Sequence, residues 1–578
     1  MGLFRNWIDG FKRAEPFGST PSETLPDGDV EKDPDSKDVV ARDVLTNSVA
    51  FKDEQGHVHV LEEDQVLKRK LHSRHIQFIA LGGSIGSGLF IGSGLTLAHG
   101  GPGSVMVAYI IISVMVICTV LSLGELAAAL PVQGSFATYA VRFIDPSWGF
   151  AVGYIFWINW LVAYPNDATV STIVIRFWDR DEVVPRGVWV AIYMIIMIFI
   201  NIFGVRGYGE FEFVATLIKV LGCIGFIICA IVIDCGGTPA GQYLGARGWH
   251  TQPAFLHGFK GFCSVFITAA FSFSGTELVG LAAAETENPR KFLPKACKQV
   301  IARVIIFYIL CLFMVTLIVP ATTPQLTEQS GSPMASPFVI AIEMGQIYAL
   351  PQIFNAVILI SALSVGNAAL YGSSRMLHTM AEQGNAPKIF KFVDRRGRPT
   401  PALAVSILFG FISFLVYYTD GETVFTWLMS IAGLSAVFTW GTICLAHFRF
   451  RRAWIKQGNT LRQLPWASPL GIYGSALGFV LNVLVIIASF YGNAWPMDES
   501  EMDSQKRAYT FFENMLSLPI FFILFLGHKI VTRSRFVRFS EIDVQTGRRD
   551  PVPEEVLEKE RAEARARPLW KRIFTAIF

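Results

Sequence analysis

A glycine-rich stretch near the start of the apolar part of the chain constrains the fold more than any other feature. Residues 82–94 read GGSIGSGLFIGSG and lie inside an apolar segment long enough to cross a bilayer. Glycine weakens a helix, and irregular backbone is tolerated at membrane depth only where protein or a water-filled cavity surrounds it. The stretch alone leaves two interpretations open: a binding site, or glycines that let two helices pack closely.

Composition places the chain in a membrane. Of its 578 residues, 52% are hydrophobic and only 16% are charged, which is too apolar for a soluble protein of this size. The formal net charge of +3 gives no reason to expect nucleic acid as a partner. The eight cysteines show no metal-ligand spacing, and no cofactor is expected. Residues 1–70 are polar and are predicted to form a disordered cytoplasmic tail.

Apolar runs of about 20 residues follow this tail, each long enough to span as a helix. They number about twelve and lie near 76–98, 105–128, 149–175, 187–205, 211–233, 259–282, 300–320, 352–374, 401–418, 423–446, 470–491 and 509–531. The sequence therefore predicts an all-α polytopic protein embedded in membrane lipid.

Lysine and arginine concentrate in alternate loops, as they do on the cytoplasmic side of membrane proteins. The loops at 388–398 and 449–462 are strongly basic, whereas 321–335 and 419–422 contain no lysine or arginine. This alternation predicts a multi-pass topology with both termini cytoplasmic. The C-terminal tail, 532–578, is expected to end in an amphipathic helix on the inner membrane surface, or in a segment that docks on a partner.

A second interruption lies five apolar segments after the first. Phe271-Ser272-Phe273-Ser274-Gly275-Thr276-Glu277 breaks the sixth segment, and this offset is typical of a transporter built from two inverted five-helix repeats. The pair favours a site over simple packing at the first break. The prediction is a transport core at 71–450, with helices 1–5 near 76–233 and helices 6–10 near 259–446. Helices 11 and 12 would be peripheral, within 451–531.

Two broken helices offer complementary polarity to a small zwitterion. A helix that stops in mid-membrane presents free N–H groups at its new N-terminus and free carbonyls at the end of the preceding half. Gly86, Ser87 and Gly88 would offer N–H groups to a carboxylate. The carbonyls from Phe271 to Ser274 would accept hydrogen bonds from an amino group. No charged side chain is needed to hold such a molecule.

Four ionisable residues lie within apolar segments, where charge is costly and indicates function. Glu277 could titrate, or could only hydrogen-bond the loose backbone. Lys219 could replace a bound cation or exchange a proton, or could extend to the interface. Glu125 lies near the inner end of its segment, which favours a gate or an interface role. Asp167 follows Pro165 and is a candidate for the cavity wall.

Several motifs identify a known family. FSFSGTELVG (271–280), FGVRGYGEFEF (203–213) and VDRRGRPTP (393–401) resemble fungal amino-acid permeases of the amino acid–polyamine–organocation superfamily, and most of all the general amino-acid permease branch. The resemblance extends from about residue 68 to the C-terminus. It implies a LeuT-type fold, uptake of L-amino acids together with protons across the plasma membrane, and tails that ubiquitin-ligase machinery recognises.

The resemblance also implies site residues by position. The carboxylate site of the family falls on Ser84 to Gly88, its amino-group site and aromatic gate on Phe271 to Ser274, and its cation-replacing lysine on Lys219. Lys219, Glu277, Asp167 and Glu125 are the candidates for proton coupling or gating. The candidate substrate-binding residues are Ser84, Ile85, Gly86, Ser87, Gly88, Phe271, Ser272, Phe273, Ser274, Gly275, Thr276 and Glu277.

One departure from the family bears on substrate range. Broad-range members carry Pro-Leu-Glu in the third segment, whereas this chain has Pro165-Asn166-Asp167. The acid is one methylene shorter and its neighbour is polar, so a narrower or shifted preference is possible.

Two other functional classes compete with transport. The alternative is a permease-like receptor that binds amino acid and signals through its tails. Such receptors usually carry an extended N-terminal domain, so a tail of about 70 residues disfavours this class. A membrane enzyme is disfavoured because the loops contain no nucleophile motif and no acid or histidine cluster at metal spacing.

Overall fold

The structure is a computed structural model, and only part of the chain is described. The described residues are 83–546 without 133, 180, 182, 283–288, 327–335, 395–396, 418–420 and 498–502, and in addition 39–42, 49–52, 58–60, 548, 566 and 568. The start of the first apolar segment, 76–82, and the predicted amphipathic end after Pro568 lie outside the described residues.

Helices make up almost all of the described structure. In chain order they are α1 Gly88–Gly92 (a π-helix), α2 Ser93–Ala129, α3 Ser135–Phe143, α4 Pro146–Ile175, α5 Arg186–Ile202, α6 Gly204–Asp234, α7 Arg247–Thr251, α8 Gly258–Ser264, α9 Phe266–Phe273, α10 Leu278–Ala282, α11 Pro289–Arg303, α12 Val304–Leu310 (a π-helix), α13 Cys311–Ile318, α14 Pro337–Met344, α15 Leu350–Glu382, α16 Thr400–Phe409, α17 Gly421–Lys456, α18 Gly471–Ala494, α19 Ser504–Met515 and α20 Ser517–Thr532. Short 3₁₀ turns lie at Pro324–Leu326, Lys388–Lys391, Gly410–Tyr417 and Leu461–Gln463.

Three short strands precede the helices. Val39–Arg42, Val49–Lys52 and Val58–Val60 form an antiparallel sheet in sequential order. They fall within the region that the sequence assigns to the N-terminal tail. The division of the chain into tail, transport core and peripheral helices stays a prediction.

The helices account for the predicted membrane segments. Within the described residues, eight helices are long and apolar enough to cross a membrane, or nine if α19 and α20, bent by 63°, form one span. The first of these, Gly88–Ala129, contains a backbone break at Gly101 that divides it in two. The helices α4 and α5 are two further apolar helices. Each of the twelve predicted segments therefore contains a helix, and the all-α polytopic class is confirmed.

The break at Gly101 turns the chain from the first span into the second. Gly101 has φ 79°, in the region that favours glycine, and Pro102 follows it. A Cβ there would lie 3.0 Å from the carbonyl oxygen of Ala254. The segment around Ala254 crosses this corner, and its carbonyl accepts a hydrogen bond from the Gly103 amide at 2.7 Å.

The interior of the bundle is formed by α4, α15 and α17, with α2 and α9 beside them. Trp160 of α4 and Trp440 and Trp454 of α17 are among the largest fully buried side chains. In contrast, α6 and α18 expose leucine and isoleucine along one side, as at Leu221 and Ile487. Such apolar exposure suits a surface that faces lipid.

The segment after the last helix packs back onto the ends of α3, α4 and α17. We call residues 533–546 the C-terminal strap. Its Val537 amide donates to the Ile144 carbonyl at 2.9 Å, and its Ile542 and Val544 side chains are buried. Gln457, just past the end of α17, donates to the Ile542 carbonyl at 2.7 Å. The strap thus connects elements on the side predicted to be cytoplasmic.

Asp145 anchors the strap and the start of α4 together. It is the N-cap of α4, where it accepts from the Ser147 amide at 2.7 Å. It also accepts from Ser534 at 2.7 Å and pairs with Lys529 at 2.5 Å. Burial alone would raise the pKa of Asp145, but the hydrogen bonds from Lys529 and Ser534 outweigh burial and hold the pKa below its usual range.

Acid is therefore expected to loosen this junction. A lowered pKa means that ionised Asp145 stabilises the folded chain above the unfolded pKa of about 3.9, and that this contribution is lost as pH falls through the folded-state pKa. We expect the melting temperature of the purified protein to fall more steeply below about pH 4 than that of Asp145→Asn, which keeps a capping oxygen but cannot ionise. If the melting temperatures of the two proteins fall equally as the pH is lowered, ionised Asp145 does not stabilise this junction.

Candidate functional site

The first predicted break is present in the structure. Residues 83–86 are not helical, a helical turn starts at Ser87, and the next turn is the π-helix α1. Clustered glycines favour irregular backbone here, because every residue except proline stabilises an α-helix better than glycine does. Packing from α15 fixes the loose backbone, since Ser361 donates to the Ile85 carbonyl at 2.8 Å. The irregular backbone at Gly83–Gly86 is buried in protein, as membrane depth requires.

The second predicted break is also present. The helix α9 ends at Phe273, Ser274 has extended ψ of 140°, and α10 starts at Leu278. Gly275 has φ 103°, a conformation that side chains with a Cβ rarely adopt. Glycine at this position is therefore what allows the chain to turn out of one helix and into the next.

The two breaks lie directly against each other. A Cβ added to Gly88 would lie 2.6 Å from Ser272 Cα and 2.9 Å from Ser272 N, closer than real Cβ atoms approach. A Cβ on Gly275 would lie 2.5 Å from the Gly83 carbonyl oxygen. Bare backbone at two positions thus lets the first break contact the second. Gly88 and Gly275 are required for this approach, one from each break.

Tyr308 of α12 joins the two breaks. Its hydroxyl oxygen lies 2.6 Å from the Ser84 carbonyl and 2.9 Å from the Ser272 carbonyl. A hydroxyl has one proton, so it donates to one carbonyl at a time while it contacts both. The ring stacks on Phe273, with centroids 4.1 Å apart and planes at 18°. Tyr308 was not among the residues predicted from the sequence.

Loss of this hydroxyl should destabilise the junction. Tyr308→Phe removes the one donor that the two buried carbonyls share, and an unsatisfied buried acceptor costs about 1–3 kcal/mol. We expect a clear fall in the melting temperature of the detergent-purified protein. Tyr154→Phe is the matched control, because its half-buried hydroxyl donates only to the Asn385 carbonyl, away from the breaks. An equal or larger fall for the control would contradict the role of Tyr308.

A small cavity of about 20 Å³, enough for a water molecule, lies between the breaks and two neighbouring helices. Six of the predicted substrate residues line it, together with two residues of α4 and one of α15. The lining residues are Ser84, Gly86, Ser87, Gly88, Phe271 and Ser274 from the breaks, and Trp160, Ala163 and Val365 from the helices.

The other six predicted residues do not line this cavity, although all lie in or beside the breaks. Ile85 is buried beneath the first break, and Phe273 stacks on Tyr308. Ser272 contacts the Tyr109 hydroxyl at 2.8 Å. Gly275, Thr276 and Glu277 form the turn that follows.

Asp167 of α4 reaches the first break. Its Oδ1 accepts a hydrogen bond from Ser87 Oγ at 2.7 Å, and the carboxylate is fully buried. Its Oδ2 has no hydrogen-bond partner among the described residues. Another residue of α4, Asn159, donates to Ser274 Oγ at 3.4 Å, so this helix contacts both breaks. An ionisable group is thus in direct contact with the cavity lining.

Glu277 and Glu125 lie outside the cavity, in two different settings. Glu277 accepts from Trp440 Nε1 at 3.0 Å and from the Gly275 amide at 3.3 Å, so it holds the second turn against α17. Glu125 of α2 forms two hydrogen bonds of 2.6 Å with the Arg451 guanidinium. The roles predicted for these two acids in coupling or gating stay predictions.

Lys219 belongs to a separate polar cluster between α6 and α15. Its Nζ donates to Ser364 Oγ at 2.7 Å and lies 3.8 Å from Glu212 Oε1. All three side chains are fully buried. The interpretation in which Lys219 extends to the interface is wrong, because the ammonium is enclosed by protein.

Sequence reasoning missed the residues that complete the cavity on the helix side. Trp160, Ala163 and Val365 lie in long apolar helices, where nothing in the sequence separates a cavity residue from a packing residue. Trp160 offers one clue in the structure, since its indole Nε1 has no hydrogen-bond partner among the described residues. The described part of the chain contains no group of three or more His, Cys, Asp or Glu residues placed to hold a metal.

The described helices and the two adjoining breaks define a multi-pass membrane protein with the inverted-repeat transporter fold. The solved structure of a manganese transporter from Eremococcus coleocola resembles it, with a TM-score of 0.54 over 79% of this chain and 94% of that chain. The two sequences are only 12% identical, so this likeness concerns the fold alone.

Sequence comparison is more specific. The amino acid permease family model matches residues 75–541. An uncharacterised amino-acid permease of Schizosaccharomyces pombe is 46% identical over 530 residues, which cover 89% of each chain. The general amino-acid permease GAP2 of Candida albicans is 44% identical over 90% of this chain and 89% of its own. The cationic amino acid transporter 1 of S. pombe is 46% identical over 84% of this chain and 82% of its own. The chain belongs to the amino acid permease family.

Proposed function

We propose that this protein imports L-amino acids together with protons across the plasma membrane, with both termini cytoplasmic. The substrate backbone would occupy the cavity between the two breaks, which must widen from about 20 Å³ to admit it. The observation that carries the proposal is the hydrogen bond from Ser87 to Asp167, because it puts an ionisable group in contact with the lining of that cavity. The names of the relatives support amino acids as the substrate class.

The polarity of the cavity suits a zwitterion. In the helix that starts at Ser87, the Leu89 and Phe90 amides donate to the Gly86 carbonyl at 3.1 Å. The Ser87 and Gly88 amides precede them at the helix start, where N–H groups attract a carboxylate. Phe271 of α9 also lines the cavity. Its carbonyl accepts from the Ser274 amide at 3.0 Å and would have a second lone pair for an ammonium group.

Asp167 provides a reason for a proton to travel with the substrate. A substrate carboxylate near Ser87 and ionised Asp167 would be two like charges in a buried site, which is unfavourable. A proton on Asp167 removes this repulsion and leaves a hydroxyl that can donate a hydrogen bond. Substrate binding and protonation then favour each other by the same free energy, as linkage requires.

Side-chain preference would be set by Trp160, Ala163 and Val365, which line the cavity away from the breaks. The shorter acid at Asp167 and the polar Asn166 beside it favour a range different from that of the broad-range members. Uptake of one labelled amino acid, challenged by each unlabelled L-amino acid in turn, would measure this range.

Uptake by the purified protein in liposomes tests the proposal. With a mixture of radiolabelled L-amino acids outside, an inward proton gradient should drive accumulation, and a protonophore should remove it. Accumulation that the protonophore does not reduce would exclude proton symport. The absence of uptake for every amino acid would exclude transport. Binding of amino acid without uptake would instead support the receptor alternative.

The tails are proposed as the regulatory parts of the protein. Lysines in the N-terminal tail, such as Lys32, Lys37 and Lys52, would be acceptors for ubiquitin. Replacing these three with arginine should keep the protein longer at the plasma membrane when amino acids are in excess, and unchanged residence would exclude these sites.

A further inference from the structure

Glu212 was not predicted from the sequence to have a function, yet it lies beside the proposed coupling lysine. It is fully buried in α6, seven residues before Lys219 on the same helix. A rise of 1.5 Å per residue separates the two backbones by about 10 Å along the helix axis. Nevertheless, Glu212 Oε1 and Lys219 Nζ are 3.8 Å apart, because the two long side chains extend toward each other.

Ser364 of α15 connects the two charges more closely than their direct contact does. Lys219 Nζ donates to Ser364 Oγ at 2.7 Å, and Ser364 Oγ donates to Glu212 Oε2 at 2.6 Å. The direction of donation along these two hydrogen bonds is fixed by chemistry, since an ammonium only donates and a carboxylate only accepts. Both links have the short distances of charge-assisted hydrogen bonds.

The hydrogen-bond chain from Lys219 through Ser364 to Glu212 has a direction across the membrane. Glu212 lies toward the start of α6, which the basic-loop pattern assigns to the cytoplasmic side. Among the described residues, charged groups that act on Lys219 also include Asp167 of α4 and Arg303 of α11. Asp167 contacts the cavity through Ser87, so Lys219 has one carboxylate toward the cavity and another toward the cytoplasm.

We propose that Glu212 receives the transported proton from Lys219 through Ser364 and releases it toward the cytoplasm. This proposal rests on the proposed proton symport. In the step, an N–H bond of the Lys219 ammonium breaks and its proton passes to Ser364 Oγ. The Ser364 hydroxyl proton passes to Glu212 Oε2. Lys219 becomes a neutral amine, Glu212 becomes a neutral carboxylic acid, and no electrons are exchanged.

A purely structural role for Glu212 predicts something different. Glu212 would then only compensate the buried charge of Lys219, and Ser364 would be dispensable. Ser364→Ala separates the two roles, because it breaks the relay and leaves the direct Glu212–Lys219 contact in place. Ser364→Thr restores the hydroxyl.

The experiment compares two kinds of uptake in liposomes that contain the purified full-length protein. Counterflow exchange of radiolabelled L-amino acids needs no net proton movement, whereas accumulation driven by an inward proton gradient does. We expect Ser364→Ala and Glu212→Gln to reduce gradient-driven accumulation at least tenfold more than counterflow. Ser364→Thr should recover at least half of the accumulation. An internal pH dye should report the matching loss of proton entry.

Matched controls are available on the same helices. Glu210→Gln removes an exposed acid two residues from Glu212, and Ser373→Ala removes another buried hydroxyl from α15. Both should keep the wild-type ratio of accumulation to counterflow. Equal loss of both activities in Ser364→Ala, or no loss in either, would overturn the relay. If the wild-type protein itself shows no gradient-driven accumulation, the proposed symport fails, whatever the variants do.

Discussion

Gly88→Ala is expected to reduce amino-acid uptake at least 100-fold while the protein still reaches the membrane. The added Cβ would lie 2.6 Å from Ser272 Cα and 2.9 Å from Ser272 N. Backbone cannot rotate away as a side chain can, so the two breaks must separate. Overpacking of this kind costs about 1–3 kcal/mol or more, and the cost falls on the contact that shapes the proposed substrate site. Uptake of radiolabelled amino acids by cells that lack their own permeases measures the loss.

Two other glycines provide graded controls for this variant. A Cβ on Gly92, one turn along, would meet side-chain atoms and no backbone, Thr268 Cγ2 at 3.2 Å and Met429 Sδ at 3.6 Å, so Gly92→Ala should lose less than about fivefold. A Cβ on Gly225 of α6 would meet nothing within 4 Å, and Gly225→Ala should transport like the wild type. Gly88→Ala with uptake near that of Gly225→Ala would show that the breaks do not need to touch.

The breaks were predictable because they are local features of the sequence. Glycine and serine in an apolar run conflict with helix formation at membrane depth, and a conflict of that kind marks irregular backbone. Their pairing followed from the spacing of five segments, which is a property of chain order. Gly88 and Gly275 therefore carried enough information to place the two halves of the site.

The residues that complete the site carried no such signal. Tyr308 reaches both breaks from another helix, and Ser364 lies 145 residues after Lys219. Which face of a long apolar helix points inward depends on how every helix packs, and the sequence alone does not state this packing. Glu212 shows the same limit within one helix. Its spacing of seven residues from Lys219 places both on one face, but the hydroxyl that bonds both groups belongs to Ser364 of α15.

Glu125 was recognisable as a buried acid, yet its partners lie far away in the sequence. Arg451 is 326 residues later and forms hydrogen bonds of 2.6 Å to both carboxylate oxygens. The amide of Ser468 also donates to Glu125 Oε2 at 2.6 Å, and His447 Nε2 lies 3.2 Å from Oε1. A single buried carboxylate thus ties α2 to the end of α17 and to the segment before α18.

Glu125→Ala is expected to destabilise the fold by about 3–5 kcal/mol, because it leaves the buried Arg451 guanidinium without its counter-charge. The detergent-solubilised variant should show a strongly lowered melting temperature and a small monodisperse fraction. Asp145→Ala is a useful comparison. It removes a helix cap worth about 1 kcal/mol together with the contacts to Ser534 and Lys529, but Lys529 is partly exposed and keeps access to water. Asp145→Ala should therefore lose less stability than Glu125→Ala.

The double variant Glu125→Met with Arg451→Met separates lost charge balance from lost packing. Removing one partner of a buried ion pair is strongly destabilising, whereas replacing both with apolar side chains of similar size is often close to neutral. The double variant should therefore recover most of the melting temperature that Glu125→Ala loses. If the double variant and Glu125→Ala are equally unstable, the loss of stability comes from the unpaired Ser468 amide and the packing around it. If the double variant is stable but transports poorly, the pair acts in gating, the role that its position near the inner end of α2 first suggested.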